Sequence, residues 1–197
     1  MQQDRLRLHL NSMGTIQGDD SVCIVIMVEE TNKMQLAFVT DDDMRRQLSL
    51  RLHKPEGDTR LSKLLPEVMW ETMRGFSEAD DYEMMIESVG ENGEYNTTLR
   101  NKILGVKHDI RLSDAVLLQE VADIPLYINI SLVKQQMMPY HENSNSTALP
   151  INIMPMAVLE KGLADCLAKE DYRMAQRLKN EINKRKTFNN NKGGETR

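Results

Sequence analysis

The chain has few of the residues that mark several common classes of protein. Its 197 residues include two cysteines and nine aromatic residues. Cys23 and Cys166 are far apart and form no C-x-x-C motif, which argues against the usual cysteine-based zinc and redox sites. There is also no apolar run of about 18 residues, the length that a membrane-spanning helix needs. We therefore expect a cytoplasmic protein with reduced thiols and no membrane partner.

Recognisable catalytic patterns are equally scarce. The four histidines lack the i, i+4 spacing that is typical of metal ligands on a helix. His108 precedes Asp109, and an exposed strand-end histidine is a better interpretation of this pair than an acid or base. The sequence contains no Gly-rich phosphate loop and no nucleophile elbow.

The charge is −5 overall but is divided unequally along the chain. Residues 1–155 carry 15 Lys and Arg against 24 Asp and Glu, whereas residues 156–197 carry 10 against 6. Nucleic-acid binding depends on phosphate neutralisation by Lys and Arg. A contact with DNA or RNA is therefore expected on the basic C-terminal segment, or on an oligomer that groups basic faces. An acidic protein with a solvated basic helix is the simpler interpretation.

Strand signals dominate the first 40 residues. Residues 5–10 alternate strictly between polar and apolar, which predicts a half-buried strand. The continuous apolar run at 22–28 is typical of a strand covered on both faces, and 34–39 should pair with it in antiparallel fashion. Residues 82–89 and 95–104 predict a hairpin that turns at Gly90-Glu91-Asn92-Gly93.

Helical signals follow these strands. A helix is predicted to begin at residues 40–43, with Met44, Leu48 and Leu52 as its apolar positions. A second helix is predicted over 61–74, and residues 111–130 predict a helix that Ser113 caps and Pro125 stops, followed by a strand. The second helix should bury one apolar stripe: Leu64, Leu65, Val68, Met69 and Met73.

These elements predict an α+β protein in which three or so helices pack on a mixed or antiparallel sheet. The main domain should cover residues 1–133. Residues 134–154 are polar at both Gln135-Gln136 and His141–Thr147, and they predict a linker. A helical hairpin is expected at 155–187, and a disordered tail at 188–197.

The run Arg111-Leu112-Ser113-Asp114-Ala115, with the strand that follows it, resembles the signature of the bacterial bifunctional nuclease family. The resemblance covers roughly residues 4–133 and implies a fold that cuts the phosphodiesters of DNA and RNA. It implies catalytic roles for Arg111 and Asp114, with Mg²⁺ or Mn²⁺ as cofactor. The structural alternative is that Ser113 and Asp114 start a helix, and that Arg111 pairs with a neighbouring carboxylate.

Two landmarks of that family are replaced in this chain. Met44-Arg45 stands where the family has a Glu-Ala pair, and residues 60–64 stand where it has Thr-His-Asp-Leu. These replacements favour weak or lost activity. Asp41, Asp42 and Asp43 are the remaining candidates for a metal site. A capping-box-like helix start from Thr40 to Asp43 is the stronger interpretation of these carboxylates.

The C-terminal hairpin resembles the UVR motif of the UvrB and UvrC repair proteins. The pattern consists of leucines at every fourth position, a Glu170-Asp171-Tyr172 break and a second apolar stripe. In that family the hairpin pairs with another hairpin, so we expect a homo-oligomer or a protein partner here. This gives an alternative function, a non-catalytic interaction or scaffold protein. The expected partner-binding residues are Leu159, Leu163, Leu167, Tyr172, Ala175, Leu178 and Ile182.

Overall fold

The computed structural model describes residues 4–16, 19–31, 33–52, 60–141 and 149–192. Its architecture is α+β, as predicted. The strands are β1 (Arg5–Ile16), β2 (Asp19–Glu29), β3 (Met34–Thr40), β4 (Tyr82–Val89), β5 (Tyr95–Asn101), β6 (Lys107–Ile110), β7 (Leu126–Asn129) and β8 (Met137–Pro139). The α-helices are α1 (Asp42–Leu52), α2 (Leu65–Met73), α3 (Leu112–Ala122), α4 (Ile130–Gln136), α5 (Met156–Ala168) and α6 (Tyr172–Lys192).

The eight strands form one mixed sheet in the order β6-β5-β4-β7-β1-β2-β3-β8. The predicted β2–β3 pair is antiparallel, with Cys23 opposite Thr40 and Val28 opposite Gln35. β4 and β7 run parallel, with Met84 opposite Leu126. A parallel pair needs a long connection, and residues 90–125, which include β5, β6 and α3, provide it.

The core of the sheet follows the predicted strand patterns. In β1, Leu8 and Leu10 are buried while Arg7 and His9 are exposed, as alternation requires. In β2, Val25, Met27 and Val28 are completely buried, in agreement with a strand covered on both faces. The helices α1 and α3 contact each other and pack on β1.

The helix boundaries near the sheet differ in detail from the sequence prediction. Asp41, not Thr40, caps α1, because its Oδ1 accepts a hydrogen bond of 2.7 Å from the backbone N–H of Met44. Ser113 lies inside α3, which follows Arg111 without a side-chain cap. The same helix ends before Pro125, at Asp123, which adopts the left-handed conformation with φ 55°.

The predicted helix over 61–74 is divided, and its buried stripe is a wrong prediction. Leu61–Lys63 form a 3-10 turn, and α2 begins after Leu64 with Pro66 in its first turn. No residue of α2 is fully buried. Most of the expected stripe faces solvent, with exposed fractions of 72% for Leu65, 44% for Val68, 52% for Met69 and 38% for Met73.

Residues 134–139 are not a linker. Lys134, Gln135 and Gln136 complete α4, and β8 follows them and pairs with β3. Gln136 is only 2% exposed, so this polar segment contributes to the packed domain. Residues 142–148, which include most of the Asn/Ser-rich part of the predicted linker, lie outside the described residues.

The chain divides into two compact units. The first comprises residues 1–88 and 96–147, and the second comprises 89–95, the turn between β4 and β5, with 148–197. The second unit contains the predicted helical hairpin, α5 and α6, and a 3-10 turn at Ile151–Ile153. No helix within the described ranges combines the length and apolar character needed to cross a membrane.

The break between α5 and α6 was predicted correctly. Glu170 takes the left-handed conformation with φ 58°, and the backbone N–H of Asp171 donates to the carbonyl of Cys166 at 2.9 Å. Asp171 then caps α6, since its Oδ1 accepts from the backbone N–H of Met174 at 3.1 Å. The helix α6 continues to Lys192, so the start of the predicted tail is helical, and residues 193–197 lie outside the description.

Candidate functional site

Arg111 and Asp114 meet at the start of α3, next to the start of α1. The Nε of Arg111 donates to Oδ2 of Asp114 at 2.6 Å, and its Nη2 donates to Oδ1 at 3.1 Å. Asp41 lies on the other side, with 3.7 Å between its Oδ2 and Nη1 of Arg111. The structure therefore brings together both predicted catalytic residues and one of the three predicted metal ligands.

The other two aspartates of the 41–43 run point to different partners. Asp42 lies 2.6 Å from Nη2 of Arg45 and 2.7 Å from Nη2 of Arg46. The hydrogen bond from Arg45 lowers the pKa of Asp42, and Arg46 acts in the same direction. The side chain of Asp43 is 95% exposed and is 3.8 Å from Arg46. The sequence contained the signal for these pairs, because Asp42, Arg45 and Arg46 have i, i+3 and i, i+4 spacing.

This arrangement does not fit a divalent metal. Asp41 caps α1, Asp42 is neutralised by two arginines and Asp114 is held by Arg111 at two points. A Mg²⁺ or Mn²⁺ ion would have to displace these cations from the carboxylates it needs. Within the described part of the chain, no group of three or more His, Cys, Asp or Glu residues could hold a metal ion.

The cluster can instead present a cation to an anionic group. The side chain of Arg111 is 67% exposed, and the bond to Asp114 raises the pKa of its guanidinium. Both carboxylates near it, Asp41 and Asp114, are paired with the same arginine. Cys23 is buried behind this region, and burial raises the pKa of its thiol.

A second feature is the solvent-facing apolar side of α2, here called the α2 surface and defined as Leu65, Val68, Met69 and Met73. The opposite side of the helix holds it to the domain. Trp70 meets Tyr82 edge-to-face with ring centroids 6.2 Å apart. Glu67 receives a 2.7 Å ion pair from Arg51, whose side chain is 3% exposed. The helix is therefore attached through Trp70 and Glu67, and the apolar stripe is left outside.

One sequence signal could have revealed this orientation. Successive residues of a helix are separated by about 100°. Trp70, the one tryptophan of the chain, and Glu67 consequently fall opposite the stripe that contains Leu65, Val68 and Met69. The stripe and the tryptophan could not both face the core, and Trp70 marked the face opposite the stripe as an alternative side to bury.

The predicted partner-binding residues of the hairpin divide into two groups. Leu159, Ala175, Leu178 and Ile182 are at most 5% exposed, and Leu159, Leu178 and Ile182 form a hydrophobic core cluster in the second unit. Leu163 is partly buried against the same core. The structure therefore corrects the prediction for these residues, because their surface is covered within the chain. Leu167 and Tyr172 are 53% and 66% exposed and are accessible to a partner.

Sequence reasoning missed the polar anchor of the second unit. The side chain of Arg185 is 6% exposed and donates from Nε to Glu181 at 2.8 Å. Its Nη1 donates to the carbonyl of Met154 at 2.6 Å. Gly93 lies against this guanidinium, and a Cβ there would be 2.5 Å from Nη2. The Glu181–Arg185 spacing of i, i+4 was the available signal.

No protein-family model and no curated protein matches the chain. The resemblances carried by residues 111–128 and 159–182 therefore stay predictions. The geometry offers three features from which a function can be inferred: a paired arginine–aspartate cluster, the exposed α2 surface, and two exposed apolar residues at the break of the hairpin.

Proposed function

We propose that the chain is a non-catalytic interaction protein, built from a bifunctional-nuclease-like domain and a UVR-like hairpin, that assembles with a second copy of itself. The observation that carries this proposal is the α2 surface, where four large apolar side chains lie exposed on one helix face. Contiguous exposed apolar patches on soluble proteins mark interaction sites.

The chemistry of the α2 surface suits pairing between identical copies. A twofold axis brings the same patch of two molecules together, so one apolar helix face can cover itself. Each side chain covered in this way contributes about 25 cal/mol per Å² of apolar area removed from water. Phe76, which is 90% exposed shortly after α2 ends, offers further apolar area.

The pairing of Asp41 and Asp114 with Arg111 supports a non-catalytic role. Phosphodiester hydrolysis needs an activated water and stabilisation of the phosphate charge. Arg111 could supply charge, but the carboxylates of Asp41 and Asp114 are occupied by it. The replaced landmarks at residues 44–45 and 60–64 agree with this interpretation.

Sedimentation velocity of the full chain over a range of concentrations tests the proposal. We expect concentration-dependent association that the double variant Val68→Ser, Met69→Ser reduces at least tenfold. The matched control is Leu167→Ser, Tyr172→Ser, which removes exposed apolar side chains from the hairpin and should leave association unchanged. If only the control variant loses association, the hairpin and not the α2 surface mediates assembly. A monomeric parent at all concentrations would contradict the proposal.

A nuclease that acts on DNA and RNA is the second candidate, and two observations favour it. Arg111 and Asp114 are adjacent and accessible, and α6 exposes Arg173, Arg177 and Lys184 along one side. Cleavage of supercoiled plasmid and structured RNA with Mg²⁺, Mn²⁺ or EDTA separates the two candidates. We expect no cleavage above buffer. Metal-dependent cleavage that Asp114→Asn abolishes would establish the nuclease instead.

A further inference from the structure

The charge on α6 is opposite in sign to that of the chain as a whole. The full sequence has 30 Asp and Glu against 25 Lys and Arg. In α6, Glu181 is the one carboxylate, and its side chain is 13% exposed and paired with the buried Arg185. Every other charged residue of this 21-residue helix is Lys or Arg. The solvent-facing side of α6 is therefore positively charged.

Helical geometry arranges the exposed polar side chains of α6 in three parallel bands, because successive residues are separated by about 100°. The central band is uncharged and consists of Gln176, Asn180, Asn183 and Thr187. Two basic bands flank it, with Arg173, Arg177 and Lys184 on one side and Lys179 and Lys186 on the other. All of these residues are exposed, and we call the set the α6 face.

The cations of the α6 face are available to an anionic partner. Leu178 and Ile182 lie on the opposite side of the helix and are buried with Leu159 of α5, so α5 does not cover the face. Arg173 and Arg177 have no carboxylate partner among the residues that the structure describes. Lys186 is 3.2 Å from Glu160, but both side chains are over half exposed. Such exposed pairs contribute little to stability, so an anion can replace the glutamate.

The dimensions and the order of the bands suit the major groove of duplex DNA. An α-helix with its side chains is about 10–12 Å across, and the groove is about 12 Å wide. A helix seated there has its flanks toward the phosphates of the two strands and its centre toward the base edges. Asn and Gln are the side chains that pair with the edge of adenine.

The amides of the central band keep groups for such a contact. Nε2 of Gln176 donates to Oδ1 of Asn180 at 2.7 Å. This bond fixes the two side chains relative to each other. The oxygen of Gln176 and the N–H₂ of Asn180 are then the acceptor and the donor for a base edge.

We propose that the α6 face binds duplex DNA in the major groove. The basic bands neutralise phosphates on both strands, and the central amides contact the bases. Duplex RNA fits less well, because its major groove is deep and narrow. The proposal rests on the second unit alone, does not depend on the α2 surface and involves no cleavage.

Fluorescence anisotropy of a labelled DNA duplex of about 20 base pairs, titrated with the full chain at low salt, tests the proposal. The matched probe is an RNA duplex of the same sequence. We expect the DNA to bind at least tenfold more tightly than the RNA. The logarithm of the DNA binding constant should fall with the logarithm of salt concentration with a slope of about −4, because each neutralised phosphate contributes about −0.9.

A pair of charge variants locates the contact. The double variant Arg173→Gln, Arg177→Gln should weaken DNA binding at least tenfold and bring the salt slope about 2 closer to zero. Glutamine is a good helix former, so α6 should persist, as circular dichroism can verify. The matched control, Arg46→Gln with Arg74→Gln, removes two exposed arginines from α1 and α2 and should leave binding unchanged.

Three outcomes would overturn the proposal. One is the absence of DNA binding at low salt. Another is equal affinity for the DNA and RNA duplexes, which would exclude the major groove. The third is an equal loss of binding in the control variant, which would indicate non-specific charge attraction.

The base-edge contact has its own test. The parent should prefer an A·T-rich over a G·C-rich duplex, and Asn180→Ala with Asn183→Ala should reduce that preference without changing the salt slope. A parent without the preference would contradict the contact.

Discussion

The α2 surface and the α5–α6 hairpin have the same kind of sequence and opposite environments. Both contain large apolar residues at helical spacing. In the hairpin, Leu159 is fully buried and Leu178 and Ile182 are 5% exposed. In α2, Leu65 and Met69 are 72% and 52% exposed. Helical spacing therefore identifies residues that share a face, but it does not identify what covers that face.

The covering element makes the difference. In the hairpin, α5 and α6 are joined by a tight break, and each helix buries the apolar stripe of the other. In α2 the anchoring contacts are those of Trp70 with Tyr82 and of Glu67 with Arg51. These contacts decide its rotation and leave the apolar stripe exposed.

The largest contrast is expected between two arginine–glutamate pairs. Arg185→Ala would leave the carboxylate of Glu181, whose side chain is 13% exposed, without its cation. Breaking such a buried pair should lower the free energy of unfolding by about 3–5 kcal/mol. The matching pair at the end of α2 is Arg74 with Glu71, whose side chains are 61% and 73% exposed. Arg74→Ala should lower the free energy of unfolding by less than about 0.5 kcal/mol. Hydrogen exchange in α6 and urea unfolding followed by Trp70 fluorescence measure the two effects. Equal costs would contradict the assigned burial.

Truncation of the two apolar stripes should give the next contrast. Leu159→Ala removes a fully buried side chain and should cost about 2–5 kcal/mol. Val68→Ala removes a side chain that is 44% exposed and should change the stability of the monomer by less than about 0.5 kcal/mol. Amide exchange in α5 and α2 at low protein concentration reports both values. A large loss for Val68→Ala would mean that α2 is buried in the monomer.

Gly93 and Gly75 allow the same comparison for backbone positions. Gly93 has φ +85°, and a Cβ there would be 2.8 Å from the carbonyl oxygen of Asn152. Gly93→Ala should therefore lower the free energy of unfolding by about 1–3 kcal/mol. A Cβ on Gly75, after α2, would meet only the carbonyl oxygen of Thr72, at 3.7 Å. Gly75→Ala should therefore be neutral, or stabilising by up to about 1 kcal/mol. The midpoints of thermal unfolding test this ordering, and the reverse order would contradict it.

The smallest effects are expected at the helix starts. Asp171 caps α6 through Met174, and Asp171→Ala should cost about 1 kcal/mol. Leu64 precedes α2 without a side-chain cap. Leu64→Ser should add part of a capping hydrogen bond, which stabilises the helix by about 0.5–1 kcal/mol. The loss of the partly buried leucine side chain offsets some of this gain. Amide exchange in the first turn of each helix distinguishes the two changes. No loss of protection in α6 would contradict the capping role of Asp171.

The sequence was most informative where structure is local. Alternation in residues 5–10, the apolar run at 22–28 and the hairpin break at 169–171 all predicted what the structure contains. The parallel pairing of β4 with β7 could not be predicted, because it joins segments about 40 residues apart in a way that no local pattern specifies. The short elements α4 and β8 were missed because Gln135-Gln136 has the polarity of a linker.

The candidate sites show the same limit. The structural interpretation of the motif at 111–115 had Arg111 paired with a neighbouring carboxylate, and Arg111 forms an ion pair with Asp114. Their proximity to Asp41 depends on the packing of α1 against α3, which the sequence does not reveal. The hydrogen bond from Gln119 in α3 to the carbonyl of Leu8 in β1 likewise joins residues more than 100 positions apart.

The central claim is that the α2 surface is covered by a second copy of the chain. Met69 and Met73 allow this to be observed directly by ¹³C-methyl NMR of methionine-labelled protein in a dilution series. We expect the methyl signals of these two residues to shift with concentration, while the signal of Met84, which is fully buried in the sheet, stays constant. Signals of Met69 and Met73 that stay fixed over the whole range would contradict the claim.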